Sequence, residues 1–179
     1  MPEEFPKMII LTGYRATGKS SIGSMLAKRL GYDFFDTDAE LESALGCTIA
    51  EYVDQNGWPA FRSMEKELLR TLTGRKKAVI ATGGGAIQHT KEWEVLRKNS
   101  RVIWLQADAE TIRKRLAQDG ATARQRPTLT GNGSGAEVEK MLQCRNPLYC
   151  KGSDLQVDTA SLPPEEVVKT IIRKLDLKP

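Results

Sequence analysis

The segment GYRATGKSS, residues 13–21, follows the apolar run KMIILT and precedes residues with apolar side chains at helical spacing. It satisfies G-x-x-x-x-G-K-[ST]. Glycines at 13 and 18 let the backbone curl until its N–H groups point at phosphate oxygens. Lys19 brings a point charge to the β- and γ-phosphates, and the Ser20 hydroxyl suits Mg²⁺. The helix that follows aims its N-terminus at the anion. A glycine-rich turn with no ligand is the plain alternative, but the strand–loop–helix setting favours phosphate. Gly13, Ala16, Thr17, Gly18, Lys19, Ser20 and Ser21 form the candidate nucleotide-binding set. The motif says little about what receives a phosphoryl group.

Strand and helix patterns alternate along the rest of the chain. KMIILT, YDFFDTD, AVIATGGG, RVIWLQA and DLQVDT read as strands, being apolar or β-branched runs that end at glycines or acids. Helices are predicted over about 19–30, 48–56, 60–73, 91–98, 109–117, 136–149 and 164–175, with Gly57 and Pro59 breaking the second from the third. Thr48 and Glu51 have the form of a capping box. QDGATARQRPTLTGNGSG has almost nothing apolar, and so long a loop inside one domain is either functional or disordered. The alternation predicts an α/β fold, a parallel sheet covered by helices on both faces, as one domain over 1–179. Ligands bind beyond the carboxyl ends of such strands. GYRATGKSS, DTD and GGG should therefore meet on one rim.

Composition narrows the function. His89 is the only histidine, and the three cysteines form no CxxC pair. Histidine-rich metal chemistry is thereby excluded, and reduced thiols in a cytoplasm are predicted. The start, MPEEFPK, lacks the apolar stretch of a secretory signal, and no segment approaches a membrane span. The net charge is +4, but the basic residues are scattered without interleaved aromatics. That pattern reads first as an ordinary solvated surface rather than a nucleic-acid one, and second as a cleft that collects anionic ligands.

Candidate acceptor residues each have a plain structural reading as well. Asp36 and Asp38 would face the same way in a strand, and are either exposed carboxylates or a metal-side acid and a hydroxyl-binding acid. Arg62 and Glu65 sit three apart on a helix, either as a structural pair or as an arginine held ready for a carboxylate. Gly83, Gly84 and Gly85 make a tight turn or admit a close ligand. Arg145 is a cation near a helix end or a ligand residue.

Taken together, GYRATGKSSIG, FFDTD, FRSMEKELL, ATGGGAI, RPTL and RNPLY stand in the order and spacing of the shikimate kinases, and the chain resembles that family over nearly its whole length. The resemblance implies a P-loop three-layer α/β/α sandwich like the nucleoside monophosphate kinases, with a five-stranded parallel sheet in order 2-3-1-4-5. It implies transfer of the γ-phosphoryl group of ATP to the 3-hydroxyl of shikimate in aromatic amino acid biosynthesis. Asp38, Arg62, Gly83, Gly84, Gly85 and Arg145 would bind shikimate within a region over about 36–73 and its neighbours. The two arginines would take the carboxylate. Asp36 would support Mg²⁺ through water, beside Ser20. Arg126, in RPTL, would close on the transferring phosphate with a mobile lid over about 118–135, so that Lys19, Asp38 and Arg126 are the catalytic candidates. A monomer is the default expectation.

Two readings compete: a gluconate-type P-loop kinase with another acceptor pocket, and a kinase-like domain without catalysis. The Asp38, Arg62 and Gly84–Gly85 set argues against the first, and the presence of Lys19, Asp38 and Arg126 argues against the second. The chain departs from the family where Ala16 replaces the usual glycine, where Thr128 replaces an apolar residue, and in CKGSD after Tyr149. A negative φ makes Ala16 innocuous, whereas a left-handed one costs about 1–2 kcal/mol.

Overall fold

A computed structural model describes residues 6–118 and 134–177. The predicted lid, with Arg126 and Thr128, lies almost wholly outside them. The described elements run β1 (Met8–Thr12), α1 (Lys19–Leu30), β2 (Asp33–Asp36), α2 (Thr37–Leu45), α3 (Ile49–Leu72), β3 (Ala78–Ala81), α4 (Thr90–Arg97), β4 (Arg101–Gln106), α5 (Ala109–Gln118), α6 (Ser134–Lys151), β5 (Leu155–Asp158) and α7 (Pro164–Lys174), with a 3₁₀ turn at Ala86–Gln88.

The strands form one five-stranded sheet in the order β2-β3-β1-β4-β5. Every pairing is parallel, as the strand–helix alternation and the resemblance imply. The apolar runs are explained by burial on both sides. Met8 and Ile10 of β1 join Ile80, Leu69, Trp93 and Trp104 on one face. Ile9 and Leu11 join Ile22, Leu26, Val79, Leu105 and Ile171 on the other. Successive side chains of a strand point to opposite faces, so a strand buried twice cannot alternate with polar residues.

Register decides where function is placed. Leu11 pairs with Ala81, and Asp36 pairs with the same residue from the other side. The chain therefore leaves β1, β2 and β3 at one edge, where GYRATGKSS, DTD and GGG come together.

One local reading needs correction. The aspartates do not share a strand face, because β2 ends at Asp36 and a helix unforeseen in the sequence, α2, begins at Thr37. Asp36 caps it, accepting from the backbone N–H groups of Asp38 at 3.0 Å and Ala39 at 3.4 Å. The predicted break at Gly57 is present: with φ 80° and ψ 163° that glycine is not helical, and α3 is two helices joined across it. The capping box at Thr48 and Glu51 is present. Beyond the sheet, Leu41 of α2 packs with Ile49, Val53 and Phe61 of α3 in a small core of its own.

Gly23 shows how closely α1 lies on the sheet. A Cβ there would stand 2.5 Å from Phe34 Cε2 and 3.2 Å from Leu11 Cδ1. Gly23→Val should lower unfolding stability by about 1–3 kcal/mol, the usual penalty of overpacking. Urea denaturation measures it, and an unchanged midpoint would mean that α1 has room to move outward.

Candidate active site

The phosphate loop is built on strained and crowded backbone. Gly13 has φ 141°, and a Cβ on it would lie 2.4 Å from the Leu105 carbonyl oxygen. Gly18, with φ 90°, caps α1. Inside the loop the Thr17 hydroxyl donates to Tyr14 O at 2.7 Å. Lys19 Nζ donates to Gly13 O at 2.9 Å and to Tyr14 O at 2.7 Å. These bonds hold the ammonium against the loop that would receive phosphate.

Ser20 and Asp36 meet directly, the serine hydroxyl donating to Asp36 Oδ2. Asp36 thus joins the start of α1 to the start of α2 with its two carboxylate oxygens. Hard oxygen donors of this kind, one hydroxyl and one carboxylate beside a phosphate loop, suit Mg²⁺, which keeps several waters and takes few protein ligands.

The acceptor residues converge on the three glycines. Asp38, Arg62, Gly83, Gly84, Gly85 and Arg145 line one cleft, at whose edge Tyr14, Arg15, Trp58 and Phe61 also stand. At Gly83 and Gly85 a side chain of the cleft occupies the place of a Cβ, whereas Gly84 has ordinary contacts. At Gly83 that Cβ would meet Asp38 Oδ1 at 2.7 Å and Glu65 Oε1 at 3.0 Å. At Gly84 it would lie 3.6 Å from Arg145 Nη1, and at Gly85 only 2.1 Å from Arg62 Nη1. The Gly83 N–H donates to the buried Thr37 hydroxyl at 2.8 Å, which ties the glycine run to α2.

Arg62 is held on three sides. Its Nη1 donates to Glu65 Oε2 at 2.6 Å, the predicted pair. Its guanidinium lies 5.1 Å from the Trp58 ring centre and 5.5 Å from that of Phe61. Glu65 is buried, and burial by itself would raise its pKa. Hydrogen bonds and charge from His89 and Arg62 outweigh that and hold the carboxyl below its ordinary range. Arg145 is buried at mid-helix in α6, so the helix-end reading does not apply. Its Nε has no acceptor among the described residues. One turn on, the Tyr149 hydroxyl donates to Gly84 O at 2.6 Å. Burial, against the pull of Arg145, pushes Tyr149 up to about 12, so this phenol stays a neutral donor.

Several contacts had no local signal in the sequence. Trp58 lines the cleft, and His89 and Tyr149 bond to its lining residues Glu65 and Gly84 from two other elements. Arg115 of α5 donates to the Ala16 carbonyl at 3.2 Å and to the Thr159 hydroxyl at 3.1 Å, bracing the loop from outside. Arg126 lies outside the described residues. The cysteines at 47, 144 and 150 are free thiols. Among the described residues no helix is long and apolar enough to cross a membrane.

Ala16 takes the costly alternative, with φ 61°. Ala16→Gly relieves about 1–2 kcal/mol of left-handed strain and returns about 0.4–1 kcal/mol through the freer unfolded chain. The variant should therefore be more stable by about 0.5–1 kcal/mol by these two effects. A loss of stability in urea unfolding would contradict the strain.

Comparison with known proteins agrees with this geometry. The family model for shikimate kinase matches residues 15–176. A shikimate kinase of Thermodesulfovibrio yellowstonii is 38% identical over 170 residues, 95% of each chain. A shikimate kinase 2 of Yersinia enterocolitica is 41% identical over 167 residues, 93% of this chain and 94% of that one. Among solved structures, the shikimate kinase from Acinetobacter baumannii in complex with shikimate superposes with a TM-score of 0.87 at 31% identity, over 98% of this chain and 97% of that chain. With the sheet order and the converging arginines, these matches establish that the chain belongs to the shikimate kinase family.

Proposed function

We propose that this protein transfers the γ-phosphoryl group of ATP to the 3-hydroxyl of shikimate, with the acceptor's carboxylate between Arg62 and Arg145 and its hydroxyls on Asp38. Membership of the family makes the chain an ATP-dependent kinase of the shikimate pathway; the assignment of residues is our reading. The observation that carries it is the pair of arginines, one from α3 and one from α6, which flank adjacent glycines in a single cleft. A neutral polyol offers two guanidinium groups hydroxyl acceptors but no opposite charge. A carboxylate satisfies both, and supplies an acceptor near an Arg145 Nε that has none among the described residues. A buried donor left unmet costs about 1–3 kcal/mol.

Phosphoryl transfer needs positioning and neutralisation of charge more than covalent help. Lys19 supplies a cation at the phosphates. The N-terminus of α1 and the loop N–H groups receive the anion. Asp38 accepts from the attacking hydroxyl and orients it. Arg126, by its place in RPTL, adds charge at the transferring group. Ser20, and Asp36 through water, would hold Mg²⁺, which supplies further neutralisation of phosphate charge when bound. We read the chain as a cytoplasmic monomer whose partners are its two substrates, with neither nucleic acid nor membrane involved.

A coupled assay with shikimate and with gluconate should give turnover with shikimate alone. Arg62→Leu or Arg145→Leu should raise the shikimate KM by about 10- to 100-fold, equivalent to one charged hydrogen bond, and leave the ATP KM nearly unchanged. Equal turnover of gluconate, or an unaltered shikimate KM in both variants, would overturn the acceptor assignment.

A further inference from the structure

His89 stands at the N-cap of α4 and makes no capping bond with its side chain. Serine, threonine, aspartate or asparagine would cap that helix. Instead the imidazole turns toward α3, where Nε2 lies 2.9 Å from Glu65 Oε2, the same oxygen that accepts from Arg62 Nη1 at 2.6 Å. Both side chains are largely enclosed, His89 at 13% exposure and Glu65 at 2%. An ionised carboxylate only accepts, so the hydrogen between them sits on Nε2, and the charge of the ring is decided at Nδ1.

We propose that His89 is a positioning residue for the acceptor's carboxylate, acting through Glu65 on Arg62. The inference rests on the reading that Arg62 meets that carboxylate. With His89 neutral, Glu65 cancels the charge of Arg62. With His89 protonated, one carboxylate is shared by two cations and the cluster gains a positive charge toward the acceptor. Other charges surround the cluster from each packed element. On α3, Lys66 is 3.7 Å from Glu92 of α4, and Arg70 holds the same carboxylate at 2.9 Å, so those charges answer one another. Asp38 of α2 approaches Gly83 beside Glu65 Oε1. Arg145 of α6 lies on the far side of the glycine run, with Tyr149 a neutral phenol. Among side-chain types, imidazole is the one suited to change charge between about pH 5 and 8.

Binding of the anion and protonation of His89 are therefore linked with a definite sign. The shikimate KM should fall as pH falls, by about three- to tenfold, the effect of one charge a few ångströms away behind partial solvent screening. By reciprocity, bound shikimate must favour the protonated ring to the same degree. The chain's single histidine makes this directly measurable. In proton NMR of the untagged protein, the His89 ring resonance should titrate about half to one pH unit higher with saturating shikimate, the logarithm of that fold-change. His89→Gln keeps an N–H donor for Glu65 without the charge, and its KM should be flat across the same range while the kcat profile follows the wild type. A midpoint that shikimate does not move, or a KM profile that His89→Gln shares with the wild type, overturns the inference while shikimate turnover leaves the acceptor assignment standing. Absence of turnover with shikimate overturns both.

Discussion

A buried carboxylate is costly unless cations and hydrogen bonds hold it, and the acceptor cleft is organised around one such group. Glu65 comes from the middle of α3 and takes Arg62 from its own helix and His89 from the start of α4. Through these bonds it fixes the direction of the guanidinium before any ligand arrives. The glycines follow from the same crowding. Gly83 must leave room for Glu65 and Asp38, and Gly85 for Arg62 itself. A methyl group at either position would displace the side chains that make the cleft selective.

The nucleotide side depends on a second carboxylate used in two ways. Asp36 receives the Ser20 hydroxyl with one oxygen and caps α2 with the other. Capping fixes the first turn of α2 and hence Asp38, whose side chain turns toward Gly83. The phosphate loop and the acceptor acid are thus set by adjoining residues of one turn. The change from strand to helix sends Asp36 toward Ser20 and Asp38 toward Gly83, rather than both one way along a strand.

Much of this was legible in the sequence for physical reasons. Strands buried on both faces must be continuous apolar runs, and parallel strands must return through helices, so the alternation reads directly as the sheet. GYRATGKS and GGG are visible because close backbone approach leaves no choice of residue. Helix α2 was not foreseen, because FFDTD continues a strand pattern and the cap at Asp36 is revealed only by its bonds. The acids at Asp38 and Glu40 in the first turn were the available signal. His89, Trp58, Tyr149 and Arg115 join their sites through contacts between residues far apart in the chain, which no local spacing records. Ala16 was recognisable as a departure, but the sign of its φ was a property of the folded loop.

The central claim is that a charge on the acceptor, fixed between Arg62 and Arg145, selects the substrate. It is tested most directly by kcat/KM for shikimate against its carboxamide, which keeps the ring and hydroxyls and removes the charge. The account predicts about 10- to 100-fold lower kcat/KM for the amide, matching the loss of a charged hydrogen bond, and little further loss on the amide when Arg62 is replaced by leucine. An amide phosphorylated as efficiently as shikimate would contradict the account and make the two arginines structural.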